Sequence, residues 1–195
     1  MKRLALSFAL VGALSACQPE LQAEVTRFYS LPPPLPGKSF AISPDGPQAS
    51  DLEFQHYALQ VTAALQGKGL TPVAVPATSA DVVVQVHYGT YASRTEVYSD
   101  PAPMWGYAGR GWHGWGPPPP QINSTTIYPE YLSVDMFDGP AWRAGEKRAI
   151  FQGRVVGDSG VRDLNVAMPY LVQALFQNFP GTNGLTERVS ISLPN

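Results

Sequence analysis

Apolar residues recur along this chain in two rhythms, one helical and one of period two, and together they lay out a mixed α+β domain. The helical rhythm is clearest in Phe54, Tyr57, Ala58, Val61, Ala64 and Leu65, which fall on one stripe. Ser50 and Glu53 fit a capping box ahead of it, and Gly67 or Gly69 offers a left-handed exit. A second helix is predicted over about residues 165–179, with Leu164, Ala167, Leu171, Ala174, Leu175 and Asn178 on its face, stopped by Phe179-Pro180-Gly181. Pro169 is tolerable there only in the first turn. Alternation marks strands at residues 24–31, 38–43, 70–75, 80–99, 126–137 and 148–157. A final strand alternates Val189, Ile191 and Leu193 with Arg188, Ser190 and Ser192. In the longest run Val82, Val84, Val86 and Tyr88 share one face, Gln85 and His87 the other. Asp138-Gly139-Pro140 is turn chemistry, so the two runs beside it form an antiparallel hairpin. The predicted order is β-β-α-β-β-β-β-α-β: one domain, a mostly antiparallel mixed sheet with two helices on one face.

The first 17 residues follow neither rhythm. Lys2 and Arg3 precede an apolar stretch from 4 to 14, too short to span a bilayer as a mature helix. Small residues lead to Cys17, the sole cysteine. Leu14-Ser15-Ala16-Cys17 resembles the lipobox of bacterial lipoprotein precursors. The resemblance implies that residues 1–16 are a signal peptide cleaved before Cys17, and that lipid is placed on the Cys17 thiol and the new amino group. Two or more acyl chains make a stable anchor where one is marginal. In such lipoproteins Asp after the cysteine favours the inner membrane. Gln18 therefore points to the outer membrane, with residues 17–23 as tether and residues 24–195 as a domain in the periplasm.

Composition removes several function classes. The formal net charge is −2, so the basic footprint of a nucleic-acid binder is absent. With its cysteine taken by lipid, the domain is expected to have no disulfide and to rest on packing alone. The 20 prolines and 18 glycines cluster, leaving globular stretches between them. Pro32-Pro33-Pro34-Leu35-Pro36 reads as a stiff connector between strands rather than a polyproline ligand.

Several stretches, taken in order, resemble a family of bacterial lipoproteins known as domain of unknown function 4136. They are Val25-Thr26-Arg27-Phe28, Leu52-Glu53-Phe54-Gln55 with Tyr57-Ala58, Leu65 with Gly69-Leu70-Thr71-Pro72, the strand at 81–86, Ala174-Leu175-Phe176, and Phe179-Pro180-Gly181 with Gly184. The resemblance implies an envelope lipoprotein of one mixed domain. It brings no catalytic residues, because the family has no assigned chemistry.

Candidate chemistry concentrates in residues 100–122, where Met104, Trp105, Tyr107, Trp112 and Trp115 are interleaved with glycines and bounded by prolines. No period organises them, so this is a long loop between two strands, and such loops tend to be functional or disordered. Trp, Tyr and Arg are the residue types that anchor interfaces, which makes Trp105, Tyr107, Arg110, Trp112 and Trp115 the candidate binding residues. The same rings would equally serve to cover an open sheet face. His56, His87 and His113 show no metal-ligand spacing. Gly157-Asp158-Ser159-Gly160 matches the nucleophile signature of trypsin-like proteases, but it is also plain turn chemistry, and the two-barrel context is missing. Asp135, Asp138 and Glu130 form no convincing acid–base pair, since Asp135 and Asp138 point to opposite faces of a strand. The expectation is a non-enzymatic outer-membrane lipoprotein without cofactor beyond its covalent lipid. It would bind or scaffold an envelope protein. The alternative is a peptidoglycan- or lipopolysaccharide-binding module that uses the loop aromatics, with an envelope hydrolase as the remote case.

Overall fold

Ten residues from Glu20 to Tyr29 alternate buried and exposed, with Leu21, Ala23, Val25 and Arg27 turned inward, and they form β1 (Glu20–Tyr29). The computed structural model describes residues 20–30, 35–45, 48, 50–73, 79–100, 121–158 and 163–192. The tether expected at 17–23 is thus, from Glu20 on, the first half of a strand, because Leu21 and Ala23 extend the alternation. β2 (Ser39–Ile42), β3 (Thr71–Pro72), β4 (Val82–Thr90), β7 (Glu130–Asp138), β8 (Ala149–Asp158) and β9 (Thr186–Ser192) complete a seven-stranded sheet of order β3-β2-β4-β7-β8-β1-β9. Pairing is parallel at β2–β3 and β2–β4 and antiparallel elsewhere. The fold class is therefore α+β with a mostly antiparallel mixed sheet, as the rhythms predict.

Two predicted strands are each broken in two. The 80–99 run stops at Thr90 and resumes as β5 (Arg94–Asp100); the 126–137 run is preceded by β6 (Gln121–Ile127) and interrupted at Tyr128-Pro129. Pro129 has no amide hydrogen for a ladder, so the interruption falls there. Its carbonyl instead accepts from the Tyr91 amide at 2.8 Å. β5 and β6 pair with each other as a separate two-stranded ribbon that prolongs the β4–β7 hairpin.

α1 (Leu52–Gly67) and α3 (Leu164–Phe176) lie on one face of the sheet and bury Phe54, Tyr57, Val61 and Leu65, and Met168, Leu171 and Leu175, against Val84, Leu132, Met136, Phe151 and Val155. Burial of side chains this large stabilises by about 1.5–3 kcal/mol each. The cap of α1 differs from the predicted box: Asp51, not Ser50, is N-cap, its carboxylate accepting from the Glu53 amide at 2.9 Å. The exit is at Gly69 (φ 88°), where Leu70 N bonds Leu65 O and Gly69 N bonds Gln66 O. Asp51→Ala is accordingly expected to cost about 1 kcal/mol in urea unfolding, and Ser50→Ala nothing measurable.

α3 begins after its N-cap Asp163 and ends at Phe176, three residues short of the predicted stop. Pro169 stands in its second turn, not its first. Its missing amide leaves the Asn165 carbonyl without a helical donor, and both residues are exposed, so water takes that place. A short α2 (Gly139–Arg143), absent from the predicted order, follows β7 at the expected turn, capped by Asp138. It rests Trp142 on Phe137, ring centroids 5.1 Å apart, on the far side of the sheet.

Candidate functional site

Beyond the small patch under α2, the face of the sheet opposite α1 and α3 carries no helix among the described residues. The strand registers arrange its side chains in rows. One row reads Phe28, Gln152, Asp135, Gln85 across β1, β8, β7 and β4. The next reads Thr186, Thr26, Arg154, Ser133, His87, and a third Arg188, Glu24, Val156, Tyr131, Gly89. The Tyr131 ring lies across Gly89, where an added Cβ would stand 3.0 Å from it, and pairs with Tyr91 at 4.8 Å between centroids.

Two depressions run along this face. One, of about 370 Å³, has Thr26, Phe28, Ser133, Asp135, Gln152 and Arg154 in its walls. The other, of about 410 Å³, lies between Gln22, Glu24, Val156, Asp158 and Arg188 and is closed at one end by Pro129 and by Arg94 from the base of the ribbon. They lie on adjacent rows, Thr26 and Arg154 lining the first and Glu24 and Val156 the second. Charges around the second are paired at the surface, Arg188 with Glu24 at 3.3 Å and Arg94 with Glu96 at 3.1 Å. Asp135 accepts from Gln152 at 3.3 Å. Arg154 is exposed and has no ion pair or side-chain hydrogen bond among the described residues.

The sequence-derived candidates fall elsewhere. Cys17, Trp105, Tyr107, Arg110, Trp112 and Trp115 lie outside the described residues, as do His113 and Ser159. The two strands that carry the tryptophan loop are described. Their ribbon is exposed on both faces, with Val97 and Ile122 on one side and Tyr98 on the other. His56 is an exposed residue of α1 beside Gln60, at 3.0 Å, and His87 is half-buried in the second row of the open face. Among the described residues no three His, Cys, Asp or Glu side chains gather as metal ligands. Asp138 is occupied as the α2 cap and by Arg148 at 2.6 Å; the Arg148 hydrogen bond, then the Ala141 amide, hold its carboxyl below the ordinary range. Glu130 is buried at the other end of β7. The carboxylates Asp135, Asp138 and Glu130 are therefore not brought together. Under α1, the Tyr57 hydroxyl donates to Glu53 at 2.9 Å, and burial, then that bond, pushes the phenol above its ordinary range.

The family model for the domain of unknown function DUF4136 matches residues 34–181. The chain belongs to the DUF4136 family. Among solved structures it is similar to a DUF4136 family protein from Bacteroides thetaiotaomicron, at 18% identity, covering 80% of this chain and 95% of that one, TM-score 0.45. It is also similar to a PDZ domain protein from Parabacteroides distasonis, at 12% identity and TM-score 0.49, covering 90% of this chain but only 40% of the length of that one. A third likeness is to the PelC dodecamer from Paraburkholderia phytofirmans, at 8% identity, 77% and 91% coverage and TM-score 0.43. Likenesses this distant carry nothing about activity or assembly. No curated protein matches in sequence.

In this DUF4136 chain three of the stretches that carry the resemblance meet in one structural knot. Arg27, on β1 and 1% exposed, donates Nε to the Leu175 carbonyl at 3.1 Å and Nη2 to the same carbonyl at 2.9 Å and to Ala174 at 3.3 Å. Its Nη1 meets Glu187 at 3.0 Å. The guanidinium thus satisfies carbonyls at the C-terminal end of α3, which no intrahelical donor reaches. Beside it the chain turns through a cis Phe179–Pro180 bond to Gly181 (φ 76°), where an added Cβ would stand 2.6 Å from Arg27 Nη1. Sequence reasoning did not single out Arg27 for a role. Its signal was available: a cation in phase with the inward-facing Leu21, Ala23 and Val25.

Proposed function

We propose that this DUF4136 protein is a lipid-anchored component of the bacterial envelope that holds a protein partner through the β5–β6 ribbon and the tryptophan loop it carries. It acts as a binding or scaffold element and not as an enzyme. The observation that carries the reading is the ribbon itself. A two-stranded ribbon is marginal by itself in water, and among the described residues nothing covers this one on either face, with Val97 66% and Ile122 74% exposed on the same side. Exposed apolar residues grouped in this way mark a surface that finds a partner. The lipobox-like Leu14-Ser15-Ala16-Cys17 supports the anchor, and Trp105, Tyr107, Arg110, Trp112 and Trp115, between β5 and β6 in the sequence, supply the residue types that dominate interface energies.

The test is photo-crosslinking in cells from position 112, in wild type and in Val97→Asp/Ile122→Asp. One dominant protein adduct that disappears in the double variant, with the thermal midpoint of the domain kept, is the expected result. An adduct that survives both the double variant and deletion of residues 103–118 (probed then from position 98) overturns the ribbon as the site. Cys17→Ser is expected to move the protein from the membrane fraction to the soluble periplasm; persistence in the membrane fraction removes the anchor.

A further inference from the structure

The helix-free face of the sheet has a chemistry of its own, separate from the ribbon. Its two depressions lie end to end on adjacent rows along β1 and β8, and together they make a trough. From the row of Phe28 to the row of Gln22 the trough spans six residue steps of strand, about 20 Å at the rise of a β-strand. A protein partner of ordinary kind needs an apolar centre to its footprint, and here the first depression is lined by Thr26, Ser133, Asp135, Gln152 and Arg154, with Phe28 as its one large apolar residue. A nucleic acid needs aromatic faces for successive bases to stack on, and here Phe28 is the one aromatic residue in the two linings. What the lining offers is short hydroxyls, planar amide and carboxylate groups, and one aromatic face, Phe28, left 53% exposed at the trough's end. Hydroxyl-rich rings with apolar C–H faces are complementary to that set: each hydroxyl both donates and accepts, as Ser, Thr, Gln and Asp require, and the C–H face of a sugar lies on the phenyl ring. Arg154 adds a charge requirement. The other cations of the trough stand beside carboxylates, whereas Arg154 has none among the described residues and is free to take a carboxylate with its planar fork.

We propose that this trough binds a linear polysaccharide bearing uronic acids, with Arg154 on a sugar carboxylate and Phe28 stacked on a ring. Peptidoglycan strands fit less well, because their sugar-borne carboxylates are taken up in amide bonds to peptide. The proposed site takes no residue from 101–120.

The experiment titrates the full chain, in detergent micelles, with tetragalacturonate and with neutral cellotetraose, by calorimetry. Tetragalacturonate is expected to bind in preference to cellotetraose. Arg154→Gln is expected to weaken that binding about 10- to 100-fold, the worth of a charge-assisted bidentate contact, and to leave any residual cellotetraose binding unchanged. Arg154→Lys, which keeps the charge and loses the fork, falls between. Phe28→Ala weakens both sugars several-fold, and Trp112→Ala neither, which separates this site from the loop. Thermal midpoints within a degree or two of wild type confirm that the exposed-site variants fold. Equal binding of acidic and neutral sugars, wild-type affinity in Arg154→Gln and Phe28→Ala, retention on purified sacculi in preference to tetragalacturonate, or no heat from either sugar at millimolar concentration each overturns the proposal.

Discussion

Replacing Arg27 by methionine is expected to cost the domain about 3 kcal/mol, the low end of what removing one partner from a buried ion pair costs. The low end applies because Glu187 keeps 28% of its side chain in contact with solvent and is partly rehydrated when its partner goes. The remainder comes from the Ala174 and Leu175 carbonyls, buried at the end of α3 and left without their donor. Arg27→Lys keeps a point charge for Glu187 but not the fork that spans it and the helix end, so about half the loss is expected. Urea unfolding reads both values, as a lower midpoint at unchanged slope. The acid limb of stability changes too. The hydrogen bond from Arg27 is the first cause of a Glu187 carboxyl held below its ordinary 4.5. The folded state therefore binds that proton less readily than the unfolded one. Its contribution is complete above the ordinary carboxylate value and is lost as pH falls through the lower folded value. In Arg27→Met that part of the acid loss shrinks to what the Thr182 hydrogen bonds to Glu187 sustain. The parts due to Asp81, held low by the Ser39 amide and hydroxyl, and to Asp138 remain. An acid limb identical to wild type in Arg27→Met would remove Glu187 from the account.

Gly139→Ala is expected to be comparably severe, about 3 kcal/mol and a fall in thermal midpoint of about 6–10 °C. Gly139 opens α2 directly after β7, and its amide donates to the Asp81 carbonyl at 2.8 Å. A Cβ there would run into the backbone carbonyl of Ala80 and lie 2.8 Å from that of Asp81. Neither carbonyl has room to yield. Ala80 O accepts from Arg143 at 2.9 Å, and the residues after Asp81 are locked into the centre of the sheet. Gly157→Ala is the control. Its Cβ would meet the ends of Leu171 and Leu21, at 2.7 and 3.1 Å, which can rotate away, so about 1 kcal/mol is expected. Differential scanning calorimetry of the two variants separates them; equal losses would mean that the main chain near Ala80 gives way.

Period-two and helical rhythms carried most of the fold, because the strands and helices they mark pack one face against a single core. Val82, Val84 and Val86 point where their alternation put them, and so do Phe54, Tyr57, Val61 and Leu65. The rhythm failed where an element makes no use of burial. β5 and β6 continue the alternation of β4 and β7 but have no core to face, so their separation from those strands left no hydrophobic trace apart from Pro129. α2 is five residues long, too short for a helical period, and was read as the turn it replaces. The candidate aromatics were found by composition, which says what a residue is suited to and not where it sits. Of the open face, the sequence shows the β4 positions Gln85 and His87, and neither lines the trough. What made it a trough was the adjacency of β1, β7 and β8, and that is a property of strand order rather than of any one strand. Arg27 and Arg154 show the same limit. Strand alternation gives the face on which each lies, but only tertiary pairing gives the first a helix end to hold and the second an open surface.

The position of β1 inside the sheet has a consequence for how the molecule comes into being. Its neighbours are β8 and β9, and the pairing of Glu24 with Arg188 spans 164 residues. The earliest described strand to be synthesised therefore has no partner until the latest ones exist. Closing loops of that length costs entropy before any contact repays it. The β4–β7 hairpin and the two helices can form while the chain is incomplete, but the sheet's far half is sealed only when the last strand slots against the first. Foldedness of this domain is thus a report on chain completeness: any product cut short before residue 149 leaves β1 with an inward-facing apolar row and nothing to lay it against.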